Sequence, residues 1–233
     1  MTDIHTHILP RMDDGSKSPE MSLEMLAREQ AQGVDTVVLT PHFYRHRESA
    51  ESYLARRADR FELLQKAIEQ SGQRLPRLIL GAEVAWVPNL TECHLIDKLC
   101  IGDTKNMLVE MPFRPWNDQT INQLYDLMNK HGITPIFAHL ERYLDQPAEY
   151  INEIISMGTP IQVSCAPLER FMSRRPIIKM LRNHNAHLLG SDCHNLTSRQ
   201  PNMEMGLSVV KKVLGKDLAD SLVRQADSLV RAD

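Results

Sequence analysis

The sequence predicts an α/β fold in a single domain, residues 1–233, with about seven parallel strands alternating with helices around a closed or nearly closed barrel. Two observations point there. Short apolar runs alternate with amphipathic segments of helical period along the whole chain. Its 233 residues suit one α/β barrel, which commonly reaches about 250 residues, better than two domains. A third observation concerns chemistry, because the apolar runs end one after another on histidine, aspartate or glutamate. In such folds function sits where the strands end.

Residues 2–9 read as the first strand on their Ile4, Ile8 and Leu9 content. Its period of two puts Asp3, His5 and His7 on one face, where two imidazoles could grip one metal ion. The ordinary reading stands beside it, since an HxH pair can arise by chance in a chain with ten histidines. Asp13-Asp14-Gly15 adds weight, because the glycine allows a tight turn that swings a carboxylate back toward the same site.

Ser18-Pro19-Glu20 reads as a helix start, and Met21, Leu23, Met25, Leu26 and Ala31 carry that helix to Gly33. Strand two is residues 34–40, and Pro41 turns the chain so that His42 lies just beyond its end. A long amphipathic helix is expected from Arg45 through Arg60 to Ile68, its charge run forming a solvated face. Strand three, residues 78–83, finishes on Glu83, and strand four, residues 107–110, finishes on Glu110. Taken singly, each glutamate reads as a strand end in solvent. Two carboxylates ending apolar strands suggest a shared cation, because burial of either is costly without a positive partner.

A helix is expected over residues 118–131, with Ile121, Leu124, Leu127 and Met128 on one face. Strand five, residues 134–138, runs into His139-Leu140-Glu141-Arg142. A helix over about 147–157, strand six over 160–164 and a helix over about 168–183 lead to strand seven, residues 186–190. That strand delivers Ser191-Asp192-Cys193-His194, and two helices separated near Gly215 fill residues 203–232 without any low-complexity stretch.

The formal charge of -3 and pI near 6.4 argue against nucleic acid or an anionic membrane as partner, and favour a small anionic group. With no run of about twenty apolar residues and no basic segment leading into an apolar one, membrane insertion and secretion are not expected, and the chain is read as cytoplasmic. Cys93, Cys100, Cys165 and Cys193 form no CxxC, which fits reduced thiols with neither a disulfide nor a zinc knuckle.

His5, His7, Asp14, His42, Glu83, Glu110, His139, Asp192 and His194 thus come together from six strands, in or just after the strand ends. Imidazole and carboxylate without thiolate suit Mn²⁺, Fe²⁺ or Zn²⁺, and nine ligands exceed what one ion takes, so two or three ions are expected. Glu83 could bridge a pair. Water held between two ions ionises near neutral pH and attacks in line with a leaving group, which makes hydrolysis the predicted reaction class.

The motifs DIHTHILP, DDG, TPH, GAE, VEMPF, AHLER and SDCHN, in this order, resemble the polymerase and histidinol phosphatase (PHP) family. The likeness is to its bacterial manganese-dependent tyrosine-protein phosphatases of capsule and exopolysaccharide gene clusters, and it covers nearly the whole chain. The resemblance implies a distorted (β/α)₇ barrel with three metals. His5, His7, Glu83 and Asp192 would hold the first, Glu83, Glu110 and His139 the second, and Asp14, His42 and His194 the third. Asp14 is taken over Asp13, which sequence alone does not separate from it. Arg142 and Arg199 match family arginines that contact the phosphoryl group, a task suited to a guanidinium fork. Their ordinary reading is a surface salt bridge.

The implied substrate is protein phosphotyrosine, with a bacterial tyrosine autokinase that controls polysaccharide synthesis as partner. A phosphatase for a small metabolite such as histidinol phosphate is the alternative, and a metal-stabilised binding module without turnover is a third reading. Leu140 stands where the family usually has proline, and Phe43 where a polar residue is common, which bears on the pocket and leaves the ligands intact. Cys193 and Arg199 also fit the C-x₅-R signature of cysteine-dependent phosphatases. That loop, however, has no glycine to wrap a phosphate, and Asp192 and His194 flank the sulfur.

Overall fold

Short apolar strands lie parallel at the centre of the molecule, a computed structural model that describes residues 1–231. Ala232, where the sequence reading ends the last helix, lies outside the described residues. The strands are β1 (Thr2–Thr6), β2 (Thr36–Leu39), β3 (His42–Phe43), β4 (Arg77–Leu80), β5 (Glu83–Ala85), β6 (Asn106–Glu110), β7 (Thr134–Phe137), β8 (Gln162–Ser164) and β9 (Leu188–Gly190). They form three parallel sheets in the orders β1-β2-β4, β3-β5-β6-β7 and β8-β9. β3 continues the path of β2, and β5 that of β4. Single bridges, Phe137 to Ile161 and Thr6 to Cys193, connect the sheets in ring order. The structure therefore has three linked parallel sheets in place of one uninterrupted barrel ladder.

Among the described residues seven α-helices cover the strands: α1 (Pro19–Ala31), α2 (Ala50–Ser71), α3 (Asp118–His131), α4 (Ala148–Ser156), α5 (Phe171–Arg182), α6 (Met203–Leu214) and α7 (Lys216–Leu229). Three of them start with the capping chemistry of the sequence: the side chains of Ser18, Ser49 and Asn117 accept from the amides of Met21, Ser52 and Thr120. Between β5 and β6 the chain uses two 3-10 turns, Leu90–Glu92 and Ile96–Leu99, where other crossovers use an α-helix.

Four expectations need correction. The first strand ends at Thr6, so His7 lies just beyond it. The strand expected over residues 78–83 is broken at Gly81-Ala82, where the buried Arg57 guanidinium donates to the Gly81 carbonyl at 2.6 Å and the Lys98 carbonyl at 2.9 Å. The helix expected from Arg45 begins at Ala50, because the Ser49 cap sets its start and the preceding residues turn. The helix expected over about 168–183 is a 3-10 turn, Ala166–Glu169, followed by α5, with Arg170 extended between them.

A register shift in β1 matters most for the site. Asp3 pairs with Val37 and Thr6 with Leu39, so three steps in β1 face two in β2. This extra residue breaks the period of two. Ile4 enters an interior cluster with Val38, Ile79, Leu108, Ile136 and Leu188. Asp3 turns away from His5 and His7, toward Glu29 of α1 and Cys193. α7 closes the far end of the strands, with Ala226 in that cluster, Asp227 accepting from Thr2 Oγ1 at 2.7 Å, and the Leu229 carbonyl accepting from Asn106. Among the described residues no helix is long and apolar enough to cross a membrane.

Candidate metal centre

Imidazoles and carboxylates converge at the C-terminal ends of these strands. His5 and His7 are fully buried, and their Nε2 atoms face each other at 3.3 Å. Each has its other nitrogen engaged: His5 Nδ1 donates to Gln162 Oε1 at 3.1 Å, and His7 Nδ1 to Asp13 Oδ2 at 2.7 Å. His194 Nδ1 likewise donates to the Asp192 carbonyl at 2.9 Å. With Nδ1 engaged in all three rings, each imidazole turns its Nε2 inward, the atom left to ligate a cation once any proton on it is displaced.

Glu83 is the hub. Its Oε2 lies 3.3 Å from both His5 Nε2 and His7 Nε2 and 2.9 Å from His42 Nδ1, while Oε1 lies 2.8 Å from His139 Nε2. Glu110 stands 3.7 Å from His139 Nε2. Asp192 Oδ1 is 3.5 Å from the Nε2 atoms of His5 and His7. Asp14 Oδ1 reaches within 3.6 Å of His42 Nε2 and 3.5 Å of His194 Nε2. Three groups therefore have ligand-type atoms within 4.8 Å of one another: His5, His7 and Glu83; His42, Glu83 and Glu110; and His7, Asp14, His42 and His194. His139 and Asp192 join them through the distances above, so all nine residues singled out in the sequence are brought together. His42 touches Glu83, a contact the sequence did not suggest.

The donor set fits divalent metal. Buried Glu83 Oε2 and His42 Nδ1, 2.9 Å apart but not aligned as a hydrogen bond, and His139 Nδ1 and His194 Nε2 have no hydrogen-bond partner, a costly arrangement that a cation would relieve at three of the four, since His139 meets the cluster through Nε2. Burial presses the His7 imidazole down, but the Asp13 and Glu83 carboxylates outweigh it and its pKa is pushed up to about 10. The Glu83 carboxyl resists the upward pull of burial because His5, His139 and His42 hold it well below the usual range. Burial and neighbouring His7 lower the His194 pKa to about 3, leaving that ring neutral. Two residues of this cluster sit in the left-handed region, His139 at φ 36° and Asp192 at φ 52°. Such backbone is strained for a side-chain-bearing residue and concentrates at functional sites.

Two residues of the site escaped the sequence reading. Gln162 receives His5 Nδ1–H and also the His139 backbone amide at 2.8 Å, orienting the His5 ring and fixing the backbone that carries His139. Asp13, which the sequence offers only as a rival ligand to Asp14, has another task. It receives His7 Nδ1–H and the amides of Gly15 and His42 at 2.9 Å, so it orients the imidazole while Asp14 faces the histidine cluster. The turn that positions both requires Gly15, where a Cβ would come within 2.1 Å of the His7 carbonyl oxygen.

Arg142 and Arg199 converge on Asp192 Oδ2, Arg199 at 2.7 Å, and each is about one third exposed. They are thus posed at the mouth, held by the carboxylate whose other oxygen faces His5 and His7. Cys193 points elsewhere. It is fully buried, its thiol donates to Glu29 Oε1 at 3.7 Å, and burial with Glu29 and Asp3 pushes its pKa well up. That environment opposes a thiolate nucleophile. Beside the histidines a cleft of about 380 Å³ is lined by Asp14, His42, Tyr44 and Arg47, with the Arg47 guanidinium 4.4 Å above the Tyr44 ring.

Known proteins share this architecture. Tyrosine-protein phosphatase CpsB of Streptococcus pneumoniae is 30% identical, over 95% of this chain and 94% of its own. Tyrosine-protein phosphatase YwqE of Bacillus subtilis is 28% identical, over 99% and 92%. A chain from the crystal structures of YwqE from Bacillus subtilis and CpsB from Streptococcus pneumoniae, described as unique metal-dependent tyrosine phosphatases, matches with a TM-score of 0.86 at 26% identity, covering 99% of this chain and 94% of that one. Residues 1–230 match the family described as capsular polysaccharide synthesis, CpsB/CapC. The chain belongs to the CpsB/CapC family.

Proposed function

We propose that this chain is a metal-dependent phosphomonoesterase that hydrolyses protein phosphotyrosine, with residues 1–233 forming one PHP-type domain. The observation that carries the reading is the facing pair of His5 and His7 Nε2 atoms at 3.3 Å, both rings already committed through Nδ1, beside the multiply approached Glu83. The relatives named as tyrosine-protein phosphatases, two of them from crystal structures described as metal-dependent, support it.

His5, His7, Glu83 and Asp192 would hold one ion, Glu83, Glu110 and His139 a second, and Asp14, His42 and His194 a third. Bound divalent ions supply Lewis acidity and lower the pKa of water to the neutral range. We take Mn²⁺ as the native metal, the histidine and carboxylate set being equally open to Fe²⁺ or Zn²⁺. Gln162 and Asp13 keep the rings aimed and fix their tautomers. Arg142 and Arg199 each offer remaining guanidinium donors to the phosphoryl oxygens, stabilising charge as the phosphorus–oxygen bond breaks. Tyr44 stays protonated, because burial and the Glu110 and Glu83 carboxylates push its phenol up.

The substrate would be a phosphotyrosine-bearing protein, in particular a tyrosine autokinase that controls capsular or extracellular polysaccharide synthesis. The family description supports the polysaccharide context. The four free cysteines support a cytoplasmic setting. The test is hydrolysis of a phosphotyrosine peptide and of histidinol phosphate, with and without chelator. Rapid, chelator-sensitive release from the peptide is expected. Preference for the metabolite, or full activity of metal-free protein, would overturn the proposal.

A further inference from the structure

Phe171 and Met172, at the start of α5, are 60% and 69% exposed, an unusual pair of neighbours for a protein surface. The guanidinium groups of Arg174 and Arg175 lie 5.1 and 5.4 Å from the centre of the Phe171 ring. Arg170 is exposed beside them. Among the described residues none of these three arginines is ion-paired with a carboxylate. The chain as a whole carries a formal charge of -3, so this is a local inversion of its charge.

The patch has a defined place. α5 follows β8 through Ala166–Glu169, so its first turn belongs to the same end of the sheets as the metal centre. Ala166 and Glu169 line a cleft of about 500 Å³ together with Thr197, Ser198 and Gln200, the neighbours of Arg199. The cleft thus joins sequence neighbours of Arg199 to the residues that lead into α5.

We propose that Arg170, Phe171, Met172, Arg174 and Arg175 dock an acidic segment flanking the phosphotyrosine of the protein substrate, a proposal that rests on the function given above. All three cations are arginines, whose planar forks pair bidentately with carboxylate or phosphate, and the aromatic ring and thioether offer contact to apolar side chains between the charges. A membrane fits less well. Only two apolar side chains are on offer, and two guanidinium groups already lie against the ring that would have to insert.

The test uses the full-length, metal-loaded enzyme carrying Arg170→Glu, Arg174→Glu and Arg175→Glu together, with Phe171→Ser/Met172→Ser as a second variant. Three substrates are compared: a phosphotyrosine peptide with a flanking acidic stretch, the same peptide with neutral flanks, and a small aryl phosphate. Charge reversal is expected to lower kcat/KM for the acidic peptide about tenfold or more, through KM, and high salt should erase the difference. Turnover of the other two should stay within about twofold. The serine variant should shift the acidic peptide in the same direction by a smaller factor.

Equal loss on all three substrates, or no loss on any, would overturn the docking role. So would unchanged peptide discrimination accompanied by loss of binding to phosphatidylserine vesicles, or by a change of oligomeric state in sedimentation. If the wild-type chain hydrolyses no phosphotyrosine, the proposed function fails by itself. Anisotropy of a labelled acidic peptide, bound by wild type and not by the charge-reversed variant, then still decides the docking surface.

Discussion

The two ends of the same strands make opposite use of burial. At one end Ile4, Val38, Ile79, Leu108, Ile136 and Leu188 fill the interior against Ala226 of α7. Only a few residues further along the chain, His5, Glu83, Glu110, His139 and Asp192 crowd together, with Glu83 Oε2 buried and without a hydrogen bond. The apolar end gains from every group it buries, whereas the polar end loses until a cation arrives. Stability and chemistry are thus divided along the strand axis, and substitutions should separate them.

The largest effect is expected from Glu83→Gln or His139→Ala, which should lower turnover by about three orders of magnitude or more while leaving the thermal transition near its wild-type position. Kinetics and a melting curve on one preparation check this, and unfolding of either variant would place these residues in the scaffold. Leu108→Ala at the apolar end should do the reverse. It should cost about 2–5 kcal/mol in denaturant titration and leave activity per folded molecule unchanged.

Arg142→Ala is expected to reduce kcat/KM by roughly a hundredfold, what one preorganised donor is typically worth. Metal analysis of that variant sharpens the comparison: unchanged content assigns Arg142 to the phosphoryl group, whereas lost metal assigns it to holding Asp192. Cys193→Ser should be the mildest, within about threefold of wild type, because its sulfur sits with Glu29 and Asp3, away from the histidines. An inactive Cys193→Ser protein with full metal content would revive the thiolate mechanism.

These two ends also differed in how far the sequence revealed them. An apolar run closing on one charged residue, as in residues 78–83 or 107–110, is a weak signal alone and becomes a strong one when several strands end the same way, because burying each such residue is costly without a positive partner. Gln162 carried no such signal, since an amide between Ile161 and Val163 reads as ordinary alternation; its two hydrogen bonds exist only once β1 and β7 are beside β8. The shift in β1 was equally hidden. A strict period of two aligned Asp3 with His5, and only the pairing with β2 shows the extra residue that parts them. Asp13 and Asp14 became distinct through the Gly15 turn, whose close approach to the His7 carbonyl is a tertiary fact. The break at Gly81 depends on Arg57, two dozen residues earlier in the chain.

The central claim is that the polar end is built around divalent ions. His7 tests it most directly, because its pKa in the metal-free fold is pushed up to about 10. Its charge stabilises that fold fully below the ordinary imidazole pKa of about 6.5, and the contribution is lost as pH rises through the folded value. Ion binding must displace this proton from Nε2, so affinity should weaken as pH falls. Calorimetric titration of Mn²⁺ into chelator-stripped protein at about pH 8 and about pH 6 is the measurement. The account predicts two or three ions per chain, with proton release and tighter binding at the higher pH. Absence of saturable binding, or binding indifferent to pH, would contradict it.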